Sequence, residues 1–421
     1  MDGAGDVAAA GALLRAPAVD VAAIEAARAR LAGVVEETPC TLSRVLSERT
    51  GTRCWLKLEN VQLTGSFKER GAANLLLQLG ADDRRRGVIA ASAGNHGLAV
   101  AHQAAKLGIP AVIVMPEWAP LVKVTSARAK GAEVMLFGGS FDEAHDHARE
   151  IGDARGLLFV HPFDDERIIA GQGTLGLELL EQRPDLDAIV VPVGGGGLAG
   201  GVGLAVKSRR PDVRIIGVQT DALPSMRRAL ADGQPVRLDA ASTIADGIAV
   251  REVRPRTLAL AKSALDEIVT VSEEELARAV PLLLEIEKTV VEGAGAAPLA
   301  ALLNRGLRLE GRTVVLLLSG GNIDVTMLAR IIERGLVKDG RLVRLSVLLR
   351  DRPGALARLT ALVAEERANV VHIEHDRAFA RWTAIGETEV ALTLETSGRD
   401  HIERLLARLR DGGYRVEEAR I

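Results

Sequence analysis

A doubly wound α/β body followed by a small βαββαβ unit is the fold this sequence predicts, on three observations. Short continuous Val/Ile/Leu runs alternate with stretches of helical periodicity along most of the chain. Four Gly- or Ser-rich segments follow such runs, the place where an open α/β sheet gathers its ligands. Beyond residue 340 the rhythm becomes strand, helix, two strands, helix, strand. A length of 421 residues admits two or three domains, and 48% hydrophobic with 26% charged residues suits a chain that buries a core.

Asp20 reads as a helix N-cap with Ile24, Ala27, Leu31 and Val35 on one face, and Thr38-Pro39 stops that helix. A strand follows at Cys54 to Leu58, then a polar turn and a helix from Phe67 to Leu79. Strands at Val88 to Ala91, Ala111 to Met115 and Glu133 to Phe137 alternate with helices at Asn95 to Leu107 and Pro120 to Lys130. The rhythm resumes with Ala188 to Val193, a helix from Leu198 to Ser208, Arg214 to Gln219 and finally Val314 to Leu318. Unbroken apolar runs imply strands covered by helices on both faces. After the charged, Gly-containing stretch Lys338 to Arg341, strands are expected at Val343 to Arg350, Asn369 to Arg377, Thr388 to Glu395 and Arg415 to Ala419. Helices at Ala355 to Glu366 and Arg399 to Asp411 complete the second unit. The expected segments are a flexible tail over 1–19, a first domain over 20–336, a linker over 337–341 and a second domain over 342–421.

Composition narrows the partners. With 53 Lys+Arg against 56 Asp+Glu, the net charge of −3 offers no field for a polyanion, and 2% aromatic residues leave few rings to stack on bases. Nucleic acid is not expected. No apolar run approaches the roughly 20 residues a bilayer-spanning helix needs, so no membrane partner is expected either. Cys40 and Cys54 form no disulfide framework or metal motif, and the acidic residues Asp2 and Asp6 are unlike a secretory leader. A cytoplasmic location fits. His145 and His147, two apart in a helix, point to different faces and make no metal pair.

Lys68 opens a helix within TGSFKERG, where backbone N–H groups and the positive dipole end disfavour its ammonium form and suit a nucleophile or base. Gly194 to Gly197 lie between a buried strand and a helix. With 43 glycines, four in a row arise by chance in only about one such chain in twenty. Consecutive N–H groups at a helix start there point at an anion, usually a phosphate. The same residues allow a different reading. Gly195, Gly197 and Gly200 satisfy GxGxxG, and Asp221 ends the next strand where a ribose-binding acid belongs, so an NAD-dependent oxidoreductase stays open. Ser92-Ala93-Gly94-Asn95-His96 and Ser319-Gly320-Gly321-Asn322 likewise follow buried strands and offer hydroxyls, amides and free N–H groups for a carboxylate or a ring oxygen.

Taken together, SFKERGA around Lys68, SAGNH at Ser92 to His96, GGGG at Gly194 to Gly197 and SGGN at Ser319 to Asn322 resemble the threonine ammonia-lyase (threonine dehydratase) family. These are pyridoxal-phosphate enzymes of the tryptophan-synthase β-like fold, fold type II. The similarity runs from about Ile24 to Leu336 and includes GQGT at Gly171 to Thr174, ADG at Ala245 to Gly247 and EGAGA at Glu292 to Ala296. Residues 342–421 resemble an ACT domain, whose DRPG-like turn matches Asp351 to Gly354.

The resemblance implies pyridoxal 5'-phosphate as cofactor and an amino acid as substrate, with L-threonine favoured over L-serine and 2-oxobutanoate and ammonia as products. It implies that Lys68 holds the cofactor aldehyde and then acts as the base, while Gly194, Gly195, Gly196, Gly197 and Leu198 cradle the phosphate. Asn95 would bond the ring hydroxyl, Phe67 would pack on the ring, and Ser319 would meet the pyridine nitrogen. Because a neutral hydroxyl does not hold that nitrogen protonated, elimination is favoured over transamination. Ser92, Ala93, Gly94, Asn95 and His96 would grip the substrate carboxylate, Ser92 doubling as a second proton carrier. Two departures stand out. Leu98 replaces an amide of the family pattern near the carboxylate loop, and Gln219 stands where serine racemases of this fold have a metal-binding Glu, so no metal is expected. The ACT-like unit implies isoleucine or valine as an effector and a homo-oligomer, dimer or tetramer. Serine racemisation, another β-hydroxy amino acid dehydration and a silent amino-acid sensor remain alternatives.

Overall fold

The computed structural model describes residues 19–376 and 386–419. The expected tail over 1–19 lies outside the described residues apart from Val19, which is buried. Arg377, the end of one expected strand, also lies outside them. The described chain divides into two compact units, one ending at Asp324 and the other beginning at Val325. The helix Val325–Lys338 thus groups with the C-terminal unit, ahead of the charged stretch where composition places the change.

The first unit holds ten strands: β1 (Cys40–Leu42), β2 (Arg53–Leu58), β3 (Val88–Ala91), β4 (Ala111–Met115), β5 (Glu133–Leu136), β6 (Leu158–Phe159), β7 (Ala188–Pro192), β8 (Arg214–Thr220), β9 (Glu267–Val271) and β10 (Thr313–Leu318). They form two sheets, a smaller one in the order β5-β4-β3-β6 and a larger one in the order β1-β2-β10-β7-β8-β9. All neighbours run parallel except the edge pair β1 and β2. Every residue of β3, β4, β7 and β10 is buried, as their unbroken apolar runs predict. The register pairs Leu58 with Leu318, which levels the carboxyl ends of β2 and β10. The loops after them, carrying Lys68 and Ser319, therefore leave the sheet side by side.

Helix ends follow local chemistry. Asp20 Oδ1 accepts the Ala23 N–H at 2.8 Å, so the expected N-cap is present. That helix, Val21–Leu31, stops short of Val35 because the chain turns through Gly33 at φ 71°.

The second unit adds β11 (Leu342–Arg350), β12 (Asn369–Asp376), β13 (Glu387–Glu395) and β14 (Arg415–Glu418), an antiparallel sheet in the order β12-β13-β11-β14. Burial alternates along β11 and β13, so one face meets Leu359, Val363, Leu405 and Leu409 of the helices Ala355–Glu365 and Arg399–Asp411. The βαββαβ order is as expected.

Candidate active site

The site begins where β2 and β10 end. Phe67 N donates to Ser319 O at 3.0 Å, Gly321 N to Gly65 O at 2.9 Å, and Ser66 bridges Gly320. This splice delivers Lys68 as the first residue of the helix Lys68–Leu77. Its partly buried Nζ donates to Pro162 O at 2.7 Å and stands 5.2 Å from the centre of the Phe67 ring. Burial pushes the amine down to about 8, against the nearby Glu292 carboxylate, which favours the charged form.

A buried ionic brace anchors the same helix two residues on. Arg70 forks onto Glu59 at 2.8 and 2.7 Å and reaches Glu178 at 2.7 Å, while Lys57 pairs with Glu178 and donates to Thr38 O at 2.6 Å. Burial alone would raise the Glu59 carboxyl, yet the Arg70 guanidinium outweighs it and holds it below its ordinary value. Glu69, wholly buried, accepts from Thr64 and Gln103. The GQGT segment serves packing here. A methyl on Gly171 would come within 2.6 Å of Arg70 O, and the Gln172 side chain accepts the Gly71 N–H at 3.2 Å.

After β3, Ser92 Oγ accepts the Gly94 N–H at 3.2 Å, and the helix Asn95–Lys106 begins. Nothing lies within 4 Å of a methyl placed on Gly94, so the loop has open space beside it. The Asn95 amide is fixed from both ends. Its Nδ2 donates to Glu292 Oε1 and its Oδ1 accepts from Asn322 Nδ2, each at 2.7 Å, and Asn322 also donates to Thr64 O at 2.7 Å. The His96 ring turns instead to Val160 O at 2.9 Å, and burial pushes it down to about 3, so it stays neutral. Leu98 packs in the apolar core of the smaller sheet, so it serves the helix's buried face.

The glycine bend is filled on its side-chain side. A methyl on Gly194 would sit 3.1 Å from Ile248, on Gly195 2.3 Å from the Phe163 ring, on Gly196 2.4 Å from Met226 and on Gly197 2.7 Å from Phe163 O. Gly196 also has φ 92°. Among the described residues, no protein acceptor takes the backbone N–H groups of Gly194 to Leu198, and the next closed turn is Gly200 N to Gly196 O at 2.8 Å. Such mostly buried, unmet donors at a helix start are what an anion would satisfy. Lys68 and the bend are joined by one dipeptide. Pro162 meets the amine and Phe163 meets the bend, which puts the two no more than about 10 Å apart. Buried Ser319 ends β10, and buried Ser66 Oγ has no hydrogen-bond partner among the described residues.

Pro162 lies in none of the quoted motifs, and Glu292 and Asn322, though part of EGAGA and SGGN, carried no expected role. The Glu292 carboxyl is raised to about 8, by burial first and then by Asp246, with the Asn95 hydrogen bond opposing. An acidic residue heading the Gly/Ala-rich stretch EGAGAAPLAAL was the available signal. Among the described residues no three His, Cys, Asp or Glu gather as a metal-binding group. Gln219 is buried and spends its carbonyl on the Arg227 N–H at 2.9 Å. His147 stacks on Phe137 while His145 meets Phe159 edge-on, so the two rings contact different neighbours. Among the described residues no helix is long and apolar enough to cross a membrane.

An amine pushed down by burial, close to backbone N–H groups that an anion would satisfy, is the arrangement that an enzyme built around a phosphorylated aldehyde cofactor requires. Comparison with known proteins agrees. Residues 31–320 match the model of the pyridoxal-phosphate dependent enzyme family, and residues 343–411 match the ACT domain. The chain is 50% identical over 393 residues to an L-threonine ammonia-lyase of Thermotoga maritima, covering 93% of this chain and 98% of that protein. Among solved structures, processed threonine deaminase isoform 2 from Solanum lycopersicum superposes with a TM-score of 0.71 at 36% identity, covering 74% of this chain and 86% of that one. Maize serine racemase gives 0.71 at 33% identity, with 76% of this chain and 99% of that one covered. The chain belongs to the pyridoxal-phosphate-dependent enzyme family, in its threonine ammonia-lyase group, and its C-terminal unit contains an ACT domain. Pyridoxal phosphate is its cofactor, which removes the oxidoreductase reading of Gly195, Gly197 and Gly200.

Proposed function

We propose that this protein dehydrates and deaminates L-threonine to 2-oxobutanoate and ammonia. The substrate reading rests on its similarity to the Thermotoga L-threonine ammonia-lyase along nearly the whole of both chains. The site reading rests on one observation, the Lys68 amine held within reach of the glycine bend. Pyridoxal phosphate, when bound, supplies the electron sink that makes the Cα proton of an amino acid acidic.

The rest falls to the chain's own groups. Lys68 would hold the cofactor aldehyde, and its free amine, which burial pushes down to about 8, would be suited to take the Cα proton. Gly194, Gly195, Gly196, Gly197 and Leu198 hold the phosphate with backbone N–H groups. Asn95 presents an amide to the ring hydroxyl, its orientation set by Glu292 and Asn322. Phe67 would pack against the ring, and Ser319 would offer a neutral hydroxyl to the ring nitrogen. Ser92, Ala93, Gly94, Asn95 and the backbone of His96 would receive the substrate carboxylate at a helix start, and Ser92 would carry a second proton.

Residues 20–336 are read as the catalytic domain and 342–421 as the regulatory ACT domain, joined by 337–341. Isoleucine or valine is the proposed effector, in a cytoplasmic homo-oligomer. That effect counts as allosteric only if the effector binds two states of the enzyme differently. The structural likeness to maize serine racemase supports a second reading, racemisation of serine in the same site.

The test is an assay of 2-oxobutanoate from L-threonine alongside D-serine from L-serine, with and without isoleucine. Borohydride should trap a pyridoxyl group on Lys68, and Lys68→Ala should lower kcat by more than about a thousandfold. A protein that forms D-serine but no 2-oxobutanoate would reverse the ranking of the two reactions.

A further inference from the structure

The segment His161 to Asp164 joins the two sheets of the first unit at the site, and one side chain sets its shape. His161 Nδ1 accepts two backbone N–H groups, from Phe163 at 3.2 Å and Asp164 at 2.8 Å. Its ring meets that of Phe163 edge-on at 4.6 Å. Pro162, between them, turns its carbonyl toward Lys68 Nζ at 2.7 Å. On the other side Phe163 packs so closely on the bend that neither Gly195 nor Gly197 could carry a methyl. Val160, just before, accepts from His96 and donates to Ile89 O at 2.8 Å, so the chain enters the turn from a fixed point.

We propose that His161 is a positioning residue: by accepting the Phe163 and Asp164 N–H groups on one ring nitrogen, it holds the Pro162 carbonyl against Lys68 and Phe163 against the glycine bend. The inference rests on the reading of Lys68 as the cofactor-bearing amine. To accept, the imidazole must stay uncharged, and burial together with the nearby His96, His145, Arg254 and Lys68 disfavours its charged form. Nδ1 with both N–H groups on it keeps its lone pair, which places the ring proton on Nε2. Burial and those neighbours push the ring down to about 3, so the acceptor persists at any working pH. Two partners of the cofactor, an amine that follows β2 and a bend that follows β7 of the larger sheet, are thus referenced to one imidazole.

The test compares His161→Asn, which can accept the same two N–H groups, with His161→Leu, which fills the space without an acceptor. Pyridoxal phosphate is titrated into the apoproteins and followed by visible absorbance and by borohydride trapping on Lys68. Kinetics with L-threonine follow. The leucine variant should bind the cofactor on the order of tenfold more weakly and lose kcat on the order of tenfold with little change in KM, while the asparagine variant stays near wild type. If leucine prevents folding, the pair His161→Ser and His161→Ala repeats the comparison with small side chains. Equal cofactor affinity and equal kcat in the accepting and non-accepting variants would overturn the proposal. The titration needs no substrate, so a wild-type protein inactive on threonine would sink the reaction and leave this inference standing. A wild-type protein that takes up no cofactor would overturn both.

Discussion

In the first unit Lys57, Glu59, Glu69, Arg70, Glu178 and Glu292 are all buried, whereas the buried polar residues described in the second unit are only Thr388 and His401. The second unit keeps its ion pairs outside, as in Arg399 with Glu418 and Arg408 with Glu365, and fills its interior with Leu, Val and Ile. Buried ion pairs are poor stabilisers, because desolvation consumes most of their attraction. Their concentration behind Lys68 therefore points to geometry. Arg70 and Lys57 share Glu178, and that link ties the helix carrying Lys68 to β2 and to the helix Glu166–Gln182.

Three experiments would break or sharpen this contrast. The largest effect is expected from Glu178→Ala, which leaves Lys57 and Arg70 buried with their shared partner gone. Calorimetry should show the first unit destabilised by about 3–5 kcal/mol, and a loss under about 1 kcal/mol would mean the brace is solvated after all.

Next comes the pH response of the apoprotein. Glu292 is raised from 4.5 to about 8, so it retains a proton in the folded state and removes stability as pH climbs through that window. Lys68 is lowered from 10.5 to about 8, so the unfolded chain binds more protons above that point and stability returns toward 10.5. Thermal midpoints should pass through a minimum near pH 8, and Glu292→Gln should flatten the acid-side decline. An unchanged profile in that variant would assign the decline to other groups.

The smallest effect belongs to the second unit. Ile402→Val removes one methyl from its apolar core and should cost about 0.5–1.5 kcal/mol, read from the calorimetric transition of that unit. Activity without effector should not move.

Much of the fold was legible because the signals are local. The unbroken runs of β3, β4, β7 and β10 declared a parallel sheet, and the alternating burial of β11 and β13 matches an antiparallel one. The helix Gly293–Asn304 was harder to read, since GAGAAPLAALLN is buried almost all round, has little periodicity and contains Pro298. At the site, the motif residues were legible and most of their partners were not. His96 is instructive: its place in SAGNH suggested a substrate contact, but its ring is spent on Val160 O.

The sequence by itself determined seven of the first unit's ten strands, all but β1, β6 and β9, with the loops at their carboxyl ends and the nature of the second unit, since side-chain period and turn chemistry act over a few residues. Only the tertiary structure decided that Pro162 meets Lys68 from 94 positions away and that Glu292 meets Asn95 from 197 away. Contacts at such separation depend on how β2, β10 and β7 align in the larger sheet and on how the chain crosses from the smaller one. Those alignments minimise the energy of the whole packed core, and no local run of residues encodes them.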